Sequence, residues 1–146
     1  MASQVIASSR NPRRFFDTNI LIYSDDPRYP AKQQKALDLI EEHKSGQTGV
    51  VSIQVLLEYF DTVTRKLKLD ADLAKRKVTV FAKFYVVEPA TSDVLAAIDL
   101  YRLHKVSFWD AMIVHCARQA GCREVLSEDM QHNQVIDGVR IVNPFI

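Results

Sequence analysis

Four carboxylates stand beside apolar residues, where they add little to solubility. Asp17 interrupts "RRFFDTNILI", between Phe16 and an apolar run that resumes at Ile20. Glu58 lies in "SIQVLLEYF", among Leu56, Leu57, Tyr59 and Phe60. Asp110 lies in "SFWDAMIV", among Phe108, Trp109, Ala111 and Met112. Asp129 follows the apolar end of "EVLSEDM". An acid in such company costs free energy unless a hydrogen bond, a base or a metal ion compensates it.

Gathered together, the four would need a cation. Two carboxylates about 4 Å apart repel by about 4 kcal/mol at an effective dielectric near about 20. Four would force at least one to take up a proton. A hard divalent ion removes that penalty. Mg²⁺ or Mn²⁺ prefers oxygen ligands and keeps several waters. One such water, with its pKa lowered by the metal, is a nucleophile. A phosphodiester is the natural substrate, because its oxygens complete the coordination.

Each acid also has a local explanation. Ser107-Phe108-Trp109-Asp110 matches a helix capping box. Asp17 could be a turn acid that accepts from nearby amides. Glu58 could pair with a base such as Arg65, and Asp129 belongs to the polar turn "SEDMQHNQ". The functional reading therefore depends on whether the fold brings the four together.

The pattern along the chain predicts such a fold. Arg14–Asp17 reads as a short strand and Thr18–Tyr23 as a helical segment closed by Asp25-Asp26-Pro27. Ala31–Lys44 is an amphipathic helix stopped by Ser45-Gly46. A strand over Gly49–Ile53 leads to a helix from Gln54 to about Leu67, with Ser52 as its cap. A basic helix follows over Asp70–Phe81, then a strand over Tyr85–Val87. Helices open at Thr91 and Ser107, the second ending at Gly121. Glu124–Ser127 and Val139–Val142 are the last two strands. Short apolar strands alternating with helices imply an α/β fold, a three-layer α/β/α sandwich on a mostly parallel sheet of about five strands. Ligands in such folds sit beyond the carboxyl ends of the strands, where the four acids could converge.

With 146 residues, residues 13–146 read as a single domain and residues 1–12 as a flexible N-terminal tail. The net charge of +1 announces no polyanion partner, yet acids in a pocket can cancel bases around it. Cys116 and Cys122 form neither a zinc pattern nor a redox motif. They read as reduced thiols of a cytoplasmic protein. No stretch has the length and apolarity of a signal peptide core or a membrane span.

The segments "FFDTNILIYSDD", "SIQVLLEYF" and "SFWDAMIVHCARQAGCREVLSEDMQHNQVIDGVRIVNPF" resemble the PIN domain. They are most similar to the VapC-type toxin ribonucleases of bacterial toxin–antitoxin pairs. The resemblance covers nearly the whole chain after the tail; Asp61–Tyr101 matches only in general character. It implies a metal-dependent endoribonuclease that uses Mg²⁺ or Mn²⁺. Asp17, Glu58 and Asp110 would be the core metal-site acids and Asp129 the fourth, with Ser127 a polar helper. Thr18 and Asn19 match the first motif of the family, where Asn19 supports the site. The resemblance also implies an RNA substrate, a homodimer and a cognate antitoxin that blocks the acidic pocket, often with an arginine. A guanidinium suits that task, being the best partner of a carboxylate.

Arg65, Lys66, Lys68, Lys75, Arg76 and Lys77 form either a solvated face or a surface that guides RNA phosphates. Arg13 and Arg14 precede the first strand and are expected at the opposite end of the sheet. Trp109 and Phe108 read as core. Two rivals stand beside the metal mechanism. His104, His115 or His132 could cleave RNA by acid–base chemistry through the 2′-hydroxyl, leaving a cyclic phosphate where metal-activated water leaves a 5′-phosphate. Alternatively, the chain is a non-catalytic RNA- or protein-binding module with a vestigial metal pocket. A phospho-aspartyl enzyme would carry an acid where Asn19 stands, and a dinucleotide-binding enzyme a glycine-rich first turn.

Overall fold

The computed structural model describes residues 12–146. The expected tail thus lies outside the described residues, apart from Pro12. The strands are β1 (Arg14–Phe16), β2 (Gly49–Ser52), β3 (Tyr85–Val87), β4 (Glu124–Leu126), β5 (Val135–Ile136) and β6 (Val139–Val142). The helices are α1 (Thr18–Tyr23), α2 (Pro30–Gly46), α3 (Ile53–Arg65), α4 (Ala71–Phe81), α5 (Thr91–Leu103) and α6 (Phe108–Gln119).

The sheet order is β3-β2-β1-β4-β6-β5, parallel except for the β5–β6 pair. β1 is central, so Phe15 and Phe16 are wholly shielded from solvent. The chain builds outward from β1 through β2 to β3, then returns past β1 to add β4 and β6. The order therefore reverses between β1 and β4. At such a switch point the connections leave in opposite directions, and a crevice opens beyond the strand ends. Asp17 follows β1 there, and Ser127 follows β4.

Local sequence sets the helix starts beside this crevice. Ser52 caps α3, its hydroxyl accepting from Val55 N at 3.4 Å. The expected strand over Gly49–Ile53 thus ends one residue early, because Ser52 already turns the chain. Ser107 caps α6 by accepting from Asp110 N at 3.0 Å. α2 runs through Gly46, and Gln47 takes the left-handed conformation (φ 56°) that ends it.

The sheet has six strands, against about five expected. The addition is β5, which folds back antiparallel on β6. Asp137 (φ 51°) and Gly138 (φ 81°) make the connection. Two successive left-handed residues are what a two-residue hairpin turn requires, and Asp-Gly is a favoured pair for it. Among the described residues no helix is long and apolar enough to cross a membrane.

Candidate active site

Asp17 is only 6% exposed and serves as the N-cap of α1. Its Oδ1 accepts from Thr18 N at 2.8 Å. Its Oδ2 accepts from Ser127 Oγ at 2.7 Å and from Asn19 Nδ2 at 3.1 Å. Among the described residues no lysine or arginine pairs with it. Burial pushes its carboxyl up to about 6. The Ser127 hydroxyl and the Thr18 amide oppose that rise, and the negative fields of Asp110 and Asp129 add to it.

Asn19 links the two sides of the crevice. Its Nδ2 also donates to Asp129 Oδ2 at 3.2 Å, while its Oδ1 accepts from Glu128 N at 3.0 Å. Thr18 Oγ1 donates to Glu58 Oε2 at 3.1 Å, and Gln54 Nε2 holds the other oxygen, Oε1, at 2.9 Å. Thr18, Asn19 and Ser127 thereby connect Asp17, Glu58 and Asp129. Asp110 stands half-buried on the first turn of α6. Burial raises its carboxyl, the Ser107 hydroxyl opposes, and Asp129 and Glu58 push it further up. Ser107 provides one half of a capping box through the Asp110 amide.

The four acids thus share one rim and feel one another's charge, but they do not form a ready ion cage. Among the described residues no three His, Cys, Asp or Glu side chains are set to hold one ion. By chemistry the set still fits a hard divalent ion. Every donor is a carboxylate oxygen, and the raised Asp17 carboxyl marks a place where positive charge is lacking. Glu58 and Asp129 are exposed, so their side chains have room to close on a cation.

The other predicted residues divide sharply. Lys77 is not free: it pairs with the carboxylate of Asp25, which also accepts from Tyr59 Oη at 2.5 Å. Arg65 bonds Asp61 one turn away at 3.2 Å. Lys66, Lys68, Lys75 and Arg76 are exposed and form no ion pair among the described residues. His115 is buried against Asp93, Nε2 to Oδ1 2.8 Å, and His132 Nδ1 accepts from Asn143 N at 2.9 Å. Trp109, expected in the core, is 61% exposed beside the pocket that Glu58 lines. Both cysteines are buried thiols, pushed up to about 11 (Cys116) and about 12 (Cys122) by burial.

Two supporting residues escaped the sequence reading. Gln54 lies one helical turn before Glu58, a spacing that could have flagged it. Glu128 orients Asn19 through its backbone and is itself held by Tyr23 Oη and Lys32 Nζ, both at 2.5 Å. Its partners lie too far along the chain for any local signal.

A mostly parallel α/β sandwich with acids collected over its switch point defines the class: a domain that carries a cluster of carboxylates at its strand ends. The PIN domain family model matches residues 14–137, and the chain belongs to that family. PIN domains are generally nucleases that use divalent metal ions. Among solved structures, the fold is similar to "Toxin-antitoxin complex from Klebsiella pneumoniae". That match has a TM-score of 0.65 and 18% identity, over 90% of this chain and 97% of the other. It is also similar to "Crystal structure of DNA bound VapBC from Salmonella typhimurium", with a TM-score of 0.62 and 19% identity over 89% and 96%. No curated protein matches the chain.

Proposed function

We propose that this chain is a metal-dependent endoribonuclease and the toxin of a toxin–antitoxin pair. One observation carries the reading. Asp17 is buried with no lysine or arginine paired to it among the described residues, while sharing the field of Asp110 and Asp129. A purely structural acid would have been matched or replaced. Asp17, Glu58, Asp110 and Asp129 would hold Mg²⁺ or Mn²⁺ directly or through water. Bound there, such an ion would offset the charge of the acids and supply a water of lowered pKa, more readily deprotonated to a nucleophile.

The residues themselves divide the remaining work. Ser127 and Thr18 N fix both oxygens of Asp17, so its orientation is set in advance. Asn19 keeps Asp129 in register with Asp17. Glu58 and Asp129, the two exposed carboxylates, are the ones able to take a proton from water. Lys66, Lys68, Lys75 and Arg76 are the exposed bases available to RNA phosphates. Residues 13–146 act as one domain in the cytoplasm. The names of the two similar structures support an antitoxin partner, and family resemblance supports a homodimer.

The assay is cleavage of mixed cellular RNA with Mg²⁺, with Mn²⁺ or with EDTA, by the wild type and by Asp17→Asn. Cleavage should need metal, leave 5′-phosphates, and fall at least ~100-fold in the variant. Activity in EDTA, or full activity in the variant, would reject the mechanism. A second reading, a binding module that keeps the pocket without catalysis, draws on the want of a ready ion cage among the described residues. It predicts no cleavage of any RNA under any metal.

A further inference from the structure

The amino ends of the strands carry the opposite charge. Arg14, Glu124 and Arg140 stand in register across β1, β4 and β6. Glu124 holds Arg14 Nε at 2.9 Å and Arg140 Nη2 at 3.6 Å, one on each carboxylate oxygen. Arg13 is anchored beside them, donating to Ala120 O at 3.0 Å and lying 4.9 Å from the centre of the half-exposed Tyr85 ring. Arg123 is exposed and has no ion pair among the described residues. The four arginines and Glu124 line a cleft of about 830 Å³. Four guanidiniums against one carboxylate leave it strongly positive.

A solvated face explains single arginines. It does not explain four that converge on one concavity, two of them fixed by a carboxylate placed between. Guanidinium forks held in place match phosphate oxygens two at a time. The cleft volume lies in the range that encloses a small ligand, roughly 300–1,000 Å³.

We propose that this cleft is a second RNA-binding site, which holds the phosphates of a strand whose scissile bond lies at the acids on the opposite end of the sheet. The choice of ligand rests on the ribonuclease reading above; the position of the site does not. β4 spans three residues, so roughly 10 Å of sheet separates the two ends. A strand of ten nucleotides, about 34 Å even at stacked spacing, reaches both. The acids need a bound cation before they accept a phosphodiester; the arginine cleft accepts phosphates without one. It would give the enzyme affinity for long RNA and leave cleavage chemistry untouched.

The test uses Arg123→Ala/Arg140→Ala in the full chain, with folding checked by circular dichroism. Binding of a labelled 20-nucleotide single-stranded RNA is measured in EDTA across a salt series. The double variant should bind about tenfold more weakly at low salt. Its log–log salt slope should be shallower by about 1.4, since each phosphate left without its arginine removes about 0.7. In Mg²⁺ its KM for the 20-mer should rise with kcat unchanged, while cleavage of a six-nucleotide RNA stays as in the wild type. Equal affinity and equal slope would overturn the second site and leave the acid pocket to stand or fall by Asp17→Asn. Wild-type chain that takes up polyglutamate but no RNA would overturn it in favour of an acidic protein segment.

Discussion

Two sunken aspartates bracket α1 and are treated in opposite ways. The Asp25 side chain is 4% exposed and receives a lysine, Lys77, plus the hydroxyl of Tyr59. Asp17 is 6% exposed and, among the described residues, receives only neutral donors: a hydroxyl, an amide side chain and a backbone N–H. Two further acids lean on it electrically. The chain can therefore deliver a cation to a buried acid at this end of the fold, and at Asp17 none of the described residues does so. An acid matched by its own chain is part of the scaffold. An acid left short of positive charge is kept ready for a charge from outside.

The largest effect should come from undoing the matched pair. Lys77→Met strips Asp25 of its cation while Tyr59 and the surrounding packing remain. Breaking a pair with one buried partner costs about 3 kcal/mol, read as a lower urea midpoint. Adding Asp25→Asn should restore part of that loss, since the uncompensated charge is then gone. Asp17→Asn in EDTA should cost no stability, because no cation is orphaned. If Lys77→Met is neutral and Asp17→Asn is the damaging change, the contrast between the two acids fails.

The next effect is a pH dependence confined to one of the two. In EDTA the folded chain holds the Asp17 carboxyl at about 6, against 3.8 ordinarily. Between those values the folded state keeps a proton that the unfolded state releases. The stabilisation is complete below the lower value and is lost as pH rises through the upper one. Its size is on the order of 3 kcal/mol. Subtracting Asp17→Asn from the wild type cancels the other carboxylates. The difference should move in favour of the variant between about pH 4 and about pH 6. A flat difference would mean that Asp17 is not short of positive charge.

What the sequence disclosed follows the same divide between local and distant. The strand-then-acid order around Asp17, the caps at Ser52 and Ser107, and the alternation of strands and helices are local, and the structure has them. The β5–β6 hairpin was also local, written in Asp137-Gly138, but two-residue strands are too short to show a period. The Asp25–Lys77 pair spans 52 positions and Tyr59–Asp25 spans 34. No pattern of charge along the chain could tell Lys77 from its exposed neighbours Lys75 and Arg76. The arginine cleft lay half in view. Arg13 and Arg14 at the head of a strand pointed to the amino end, but only sheet order brings Arg140 beside them.

The smallest effect concerns how an unmatched acid is held in place. Ser127→Ala removes the hydroxyl that donates to Asp17 Oδ2 and also accepts from Met130 N at 3.3 Å. Losing one buried hydrogen bond of this kind costs about 1 kcal/mol. The sign of the second consequence is more telling. Ser127 is the strongest influence pulling the Asp17 carboxyl down, so its removal should send that carboxyl further up. The metal requirement then shifts without any change in the residues that would hold the ion. At fixed pH near 7, more Mg²⁺ or Mn²⁺ should be needed for half-maximal cleavage, because proton and metal compete for the same oxygen. Raising the pH by a unit should restore much of the loss. A metal requirement that ignores both Ser127 and pH would place Asp17 among the scaffold acids, alongside Asp25.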